Sequence, residues 1–221
     1  MSVSAGDVLG LYADQPRRVR SHVRVRWRTC PFPAVAAHVP DAGRILDLGC
    51  GHGVFSAYLA LQSERRDVLG TDVDGDKILA ARAAAGAAAA RGRVNLAFAV
   101  ADAEALPEGP WDAIVVLDVL YLLKPGRQES LLDRCARALA PGGLLVVKEV
   151  ADRPRWKAAW NRIQETLAVR VLRITRGEKL WFLPPARHAG WLAARGLEVS
   201  EHPMHEGFLH PHHLIVARRP G

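Results

Sequence analysis

The segment ILDLGCGHG, residues 45–53, decides how the rest of the chain is read. An apolar, β-branched run (RILDL, 44–48) ends there, and glycine then fills every second position, as Gly49, Gly51 and Gly53. Glycine tolerates positive φ and lets a ligand lie against the backbone. Residues 54–61 read as a helix whose first amides point at the turn. In open α/β sheets a turn of this kind sits at the C-terminal ends of the strands, where ligands bind. A dinucleotide fingerprint needs G-x-G-x-x-G, but counted from Gly49 its third glycine position is Val54. The spacing is instead G-x-G-x-G, with an acid, Asp47, two residues ahead of the first glycine.

Working outward, short apolar runs alternate with longer amphipathic ones. Strands are expected at 67–73, 94–102, 111–119 and 144–150, with helices at 76–91 and 127–139 between them. The second of those helices is stopped by Pro141-Gly142-Gly143. Strands that are apolar along most of their length point to burial on both faces, as in a parallel sheet. The alternating units predict a doubly wound α/β fold. A helix is expected from Pro185 to Arg195, a basic amphipathic helix over 155–172, and an antiparallel strand pair at 197–204 and 212–219. Residues 1–43 are expected to form one or two short helices.

The nine-residue segment resembles the first motif of the class I S-adenosylmethionine (SAM)-dependent methyltransferases. Later segments resemble the same family in the same order: Gly70-Thr71-Asp72-Val73-Asp74, Val100-Ala101-Asp102-Ala103-Glu104, WDAIVVLDVLY (111–121) and LAPGGLLVV (139–147). The likeness covers about residues 43–150. It implies a Rossmann-like, mostly parallel seven-stranded sheet with an antiparallel final strand, and SAM as cofactor, leaving S-adenosylhomocysteine (SAH). By this resemblance Asp47, Gly49, Cys50, Gly51 and Gly53 shape the methionine pocket. Asp72, with Val73 beside it, takes the ribose, while Asp102 and Ala103 read the adenine and Asp118 touches the cofactor. Asp74 competes with Asp72 and is also placed to cap the next helix. Asp102 equally suits the cap of a short helix at 103–106.

Methyl transfer from a sulfonium needs alignment and exclusion of water, and needs a base only when the acceptor must lose a proton. The acceptor side is therefore faint in sequence. The end of the fourth strand lacks the Asn/Asp-Pro-Pro-aromatic turn found where exocyclic or amide nitrogens are methylated, which favours a small-molecule acceptor. Tyr121, Glu149 and His210 are the candidate acceptor-side groups. Packing, a helix cap and a polar hairpin loop are their plainer readings. The histidines at 205, 210, 212 and 213 invite zinc, but they fall at the turn between the last two strands and its far edge, and no metal is expected.

Composition supports one globular unit. Of 221 residues, 49% are hydrophobic and 24% charged, which excludes a disordered chain. Lys and Arg number 30 against 23 Asp and Glu, a net charge of +7. Six arginines crowd residues 17–28, and a second basic stretch with Trp156 and Trp160 follows the fifth strand. Residues 1–43 are read as a helical lid, and 44–221 as the cofactor domain with an insert at about 151–183. Such a lid suits an anionic or aromatic small molecule, an acyl-carrier-bound substrate, or a peripheral membrane contact. RNA ranks below these. Cys30, Cys50 and Cys135 form no CxxC pair, and MSVSAGDVLGLYADQPRR lacks a basic-then-apolar leader, so a reducing cytoplasm is expected. The function expected is SAM-dependent methylation, at oxygen, of a small or lipid-like metabolite of the secondary-metabolism kind. An NAD-dependent oxidoreductase, an RNA- or carrier-linked methyltransferase and a non-catalytic SAM-binding module are the rivals.

Overall fold

A computed structural model describes residues 3–92, 95–103, 105–150, 180–204 and 212–221. The predicted basic helix at 155–172, His205, His210 and most of the expected insert lie outside the described residues.

Five strands, β1 (Gly43–Leu48), β2 (Arg66–Asp72), β3 (Leu96–Val100), β4 (Trp111–Leu117) and β5 (Leu139–Val150), run parallel. The last two, β6 (Glu198–Pro203) and β7 (His212–Arg218), complete a seven-stranded sheet of order β3-β2-β1-β4-β5-β7-β6. Only β7 runs against its neighbours. The order steps outward in both directions from the β1/β4 boundary. The connections after β1 and β4 therefore diverge and leave a crevice at the strands' C-terminal ends.

Helices cover both faces. The N-terminal segment forms three helices, α1 (Ala5–Leu9), α2 (Arg17–Thr29) and α3 (Phe32–Ala36), where one or two were expected. With α4 (Val54–Gln62) and α5 (Gly75–Ala89) they pack one side of the sheet. Alanine fills most of α5, and its buried Ala80, Ala81, Ala84 and Ala88 let the helix lie close to the sheet. On the opposite side α6 (Pro125–Ala138) buries Leu131, Leu132 and Cys135, and α7 (Pro185–Ala193) buries Ala189 and Leu192. Pro125 and Pro185 open these two helices at positions where a missing N–H costs nothing. Central strand residues Ile45, Leu46, Ile114, Val115 and Val146 are fully buried.

Most boundaries shift by a residue or two, and three features depart further from the sequence reading. β4 stops at Leu117, not at 119, because Asp118 turns into the left-handed region with φ 60°. Aspartate tolerates that conformation better than most residues. β5 begins at Leu139, ahead of Pro141, because Leu139 pairs with Trp111 and a register shift follows before Leu144 meets Ala113. Gly142 N–H then donates to Arg219 and Arg219 N–H to Gly143, which extends the ladder through the glycines. No helix is assigned to the described part of 103–106: Ala105 N–H donates to the Asp102 carbonyl in a single turn. Among the described residues, no helix is long and apolar enough to cross a membrane.

Candidate cofactor and acceptor site

The crevice holds a cavity of about 500 Å³, within the ordinary range for small-molecule sites. Its floor is the glycine turn. Gly49 and Cys50 N–H both donate to the Thr71 carbonyl, at 2.7 and 2.9 Å, so the turn is fastened to β2. Gly49 has φ 76°, and a Cβ there would lie 2.4 Å from Val119. At Gly53, φ 75°, a Cβ would lie 2.4 Å from the Phe98 ring. Gly51, φ 56°, differs: nothing lies within 4 Å of where a Cβ would stand. The first and third glycines are thus demanded by protein packing, and the middle one faces open space at the cavity wall.

Carboxylates occupy the strand ends. Asp72, the last residue of β2, accepts from Gly51 N–H at 2.9 Å and from Asp74 N–H at 2.9 Å. Those two bonds fix its orientation at the wall. Asp74 accepts from Asp76 and Lys77 N–H and caps α5, so the two acids have different structural duties. Asp102 and Ala103 follow β3 and line the same cavity, as does Val73. Asp47 is buried beneath the turn, where the Ser56 hydroxyl donates to it at 2.5 Å. Burial pushes its carboxyl up to about 6, with the Ser56 bond opposing the rise.

The opposite wall comes from distant segments. α2 sends His22 and Arg26 to the cavity, α3 sends Phe32, and the turn after β4 sends Tyr121. Arg26 Nη2 lies 2.6 Å from Asp118 Oδ2, a charge contact whose angles fall outside hydrogen-bond geometry. Lys148 Nζ, 1% exposed, donates to Asp118 Oδ1 at 2.6 Å. Burial opposes the Asp118 charge, but Lys148 and Arg26 outweigh it and hold the carboxyl well below the usual range. Asp118 thus lines the cavity as the shared counter-ion of two cations. His22 and His52 meet with ring centroids 4.5 Å apart, and burial pushes both down to about 4. The Tyr12 hydroxyl donates to the His52 carbonyl at 2.7 Å and ties the N-terminal segment to the glycine turn.

Glu149, another candidate acceptor-side group, sits apart from Tyr121. It does not line the cavity. It is buried behind the turn after β4, where Oε1 accepts from Leu120 N–H at 3.1 Å. Burial, with Asp118 nearby, pushes its carboxyl up to about 8. Strand alternation is the reason: Lys148 and Glu149 leave β5 on opposite faces. Tyr121 does reach the cavity and stacks on Phe182, centroids 5.1 Å apart. Gln128 Nε2 donates to both the Leu123 and Trp181 carbonyls at 2.8 Å, pinning the chain at 181 to the turn that carries Tyr121. His212 Nε2 faces the Thr29 carbonyl at 2.8 Å and His213 pairs with Glu201, so neither stands among metal ligands. Among the described residues no cluster of three or more His, Cys, Asp or Glu is arranged to hold a metal. Tyr12, His22, Arg26, Phe32 and Gln128 had no individual signal in the sequence beyond their place in a basic or aromatic segment.

Residues 45–143 match the methyltransferase domain family. The chain belongs to the class I S-adenosylmethionine-dependent methyltransferases. A trans-aconitate 2-methyltransferase of Methylobacterium nodulans is 37% identical over 124 residues, 55% of this chain and 44% of the relative. A ubiquinone biosynthesis O-methyltransferase of Xylella fastidiosa is 30% identical over 171 residues, 76% of this chain and 66% of the relative. The chain spans about half the length of the Methylobacterium nodulans and Streptomyces avermitilis trans-aconitate methyltransferases. The magnesium protoporphyrin IX methyltransferase of Synechocystis, solved with bound SAH, shares the fold at TM-score 0.67 and 19% identity, over 95% of this chain and 91% of that one.

SAM is the cofactor of this methyltransferase family, and the residues present fit it. Gly51 leaves room against the backbone where a side chain would intrude, and the Asp72 and Asp102 carboxylates line the cavity at the end of β2 and just beyond β3.

Proposed function

We propose that this methyltransferase acts on an oxygen of a small or lipid-like metabolite that carries an acidic group. SAM, when bound, supplies a methyl group on a positively charged sulfur. Asp72 holds the ribose hydroxyls, Asp102 and the Ala103 backbone take the adenine, and the turn from Gly49 to Gly53, with Asp47 and Cys50, shapes the methionine end. Asp118 keeps Arg26 drawn against the cavity.

The acceptor side works by positioning. Phe32, Phe55 and Tyr121 supply flat apolar walls, and Arg26, Lys77 and Arg127 supply positive charge in the same cavity. With Glu149 off the wall, His22 and Tyr121 are the proton-handling groups left on the described acceptor face. His22, pushed down to about 4, is neutral at pH 7 and a weak base. That pairing of cations with weak bases supports an acceptor oxygen that is already anionic, a carboxylate or an acidic phenol, which needs only alignment and exclusion of water. The names of the relatives, one methylating an acid and one an oxygen in quinone biosynthesis, agree with this reading.

The observation that carries the proposal is the single cavity with glycine backbone and strand-end acids on one side and α2 and Tyr121 on the other. Calorimetry with SAM and SAH, followed by SAH release in the presence of small polyacids and acidic phenols, tests it. Binding of SAM, with SAH formed only when an acidic acceptor is added, is the expected result. Purified protein that binds neither SAM nor SAH would end the proposal.

A further inference from the structure

We infer that the outer face of α2 is a docking surface for an anionic lipid membrane. The helix is 13 residues long, about 20 Å. Its inner side is committed: Val19 and Val23 are buried, and Trp27 packs against Phe32 and Tyr58. Its exposed residues are Arg17, Arg18, Arg20, Arg24 and Arg28, with Ser21 and Val25 among them. At 100° per residue these seven positions form one continuous arc of about 160°. Arg17, Arg24 and Arg28 fall within about 40° of each other along its spine.

No acid lies in α2, and none of the five arginines forms an ion pair among the described residues. Arg20 donates to the Ala13 carbonyl at 3.1 Å, which leaves its charge uncompensated. Residues 151–179 carry eight Lys and Arg against three Asp and Glu, so that stretch is itself cationic and supplies no net counter-charge. Five guanidinium groups without counter-ions on one helix face complement a dense field of phosphates.

The composition of the face selects among anionic partners. A specific protein interface needs an apolar or aromatic centre from which water is excluded. Here the one apolar member is Val25, 60% exposed. Single-stranded nucleic acid needs aromatic platforms for its bases, and Trp27 is turned inward. A lipid surface needs neither, because arginines near it act additively through headgroup charge. His22 and Arg26 on the inner side of the same helix line the cavity, so docking sets the roof of the site against the membrane.

Vesicle co-sedimentation tests this, without SAM or an acceptor, so its failure leaves the methyl-transfer reading standing. Wild-type protein is expected to sediment with phosphatidylcholine vesicles containing 30% phosphatidylglycerol and not with pure phosphatidylcholine. Sedimentation should weaken as salt rises. Arg17→Gln/Arg24→Gln/Arg28→Gln, with its melting temperature shown unchanged, should lower the partition coefficient about a hundredfold, roughly fivefold per arginine. The equally charged control Arg65→Gln/Arg137→Gln/Arg218→Gln, at exposed positions elsewhere, should change it by less than about threefold. Equal losses in the two triple variants, or no preference for anionic vesicles, overturn the inference. So does arginine-dependent capture of an acidic acyl carrier protein by a chain that ignores vesicles.

Discussion

The two halves of the cavity are built by different means. The cofactor half is made of backbone and short acids: three glycines in five residues, Asp72 at the end of β2, and Asp102 just beyond β3. The acceptor half is made of long side chains gathered from α2, α3 and the turn after β4. In the first half the groups sit on adjacent strand ends tied by backbone N–H bonds, Gly49 and Cys50 to the Thr71 carbonyl and Gly51 to Asp72. In the second, Arg26 is fixed by Asp118, which is itself fixed by Lys148, across 92 and then 30 positions of sequence. A site tied by backbone bonds tolerates most side-chain changes elsewhere in the molecule. A site strung across three elements depends on every link.

The sharpest way to break this contrast is to remove the central link. Asp118→Ala leaves Lys148 buried and facing Arg26 with no counter-ion. A loss of about 3–5 kcal/mol of stability is expected in urea unfolding. A loss under about 1 kcal/mol would show that the trio is a surface pair in all but position.

Next is the cofactor half. Asp72→Ala removes the acceptor of two backbone N–H groups at the cavity wall, and SAM affinity should fall about ten- to a hundredfold by calorimetry. Asp74→Ala should lose about 1 kcal/mol of stability as an N-cap and leave SAM affinity within a few-fold. Equal effects on SAM affinity would erase the division of labour between these two acids.

A smaller effect separates the glycines. Gly53→Ala sets a methyl against Phe98 in addition to the positive φ, and about 2–3 kcal/mol of stability should be lost. Gly51→Ala meets only the φ penalty, about 1 kcal/mol, and its main cost should appear in SAM binding.

The smallest effect concerns Glu149. Its carboxyl stands at about 8 in the folded chain against an ordinary 4.5. Between those values the folded state keeps a proton that the unfolded state releases. Its contribution to stability is therefore full below pH 4.5 and is lost as pH rises through about 8. Glu149→Gln keeps the oxygen that accepts from Leu120 N–H, so turnover at pH 7 should stay within about twofold, with a flatter stability profile in urea melts at pH 5, 6.5 and 8. A large loss of turnover would return Glu149 to the reacting atoms.

Much of this was legible before any coordinates. The glycine spacing at 49–53, the acids at the strand ends and the alternation of apolar runs all act over a few residues, and hydrophobic periodicity reports them directly. The boundaries that failed did so for nonlocal reasons: Asp118 leaves β4 through a left-handed turn, and Gly142 and Gly143 join the ladder because Arg219 stands opposite them. Glu149 looked available because it ends an apolar strand, yet burial against the turn at Leu120 removes it from the cavity.

What the sequence determined by itself is the βα frame and the cofactor-facing turn, since strand, glycine and cap preferences are set by each residue and its immediate neighbours. What only the tertiary structure decided is which charges meet. The pairing of the Arg26 and Asp118 charges, the neutrality of His22 and the seclusion of Glu149 all follow from burial, and burial belongs to the packed chain.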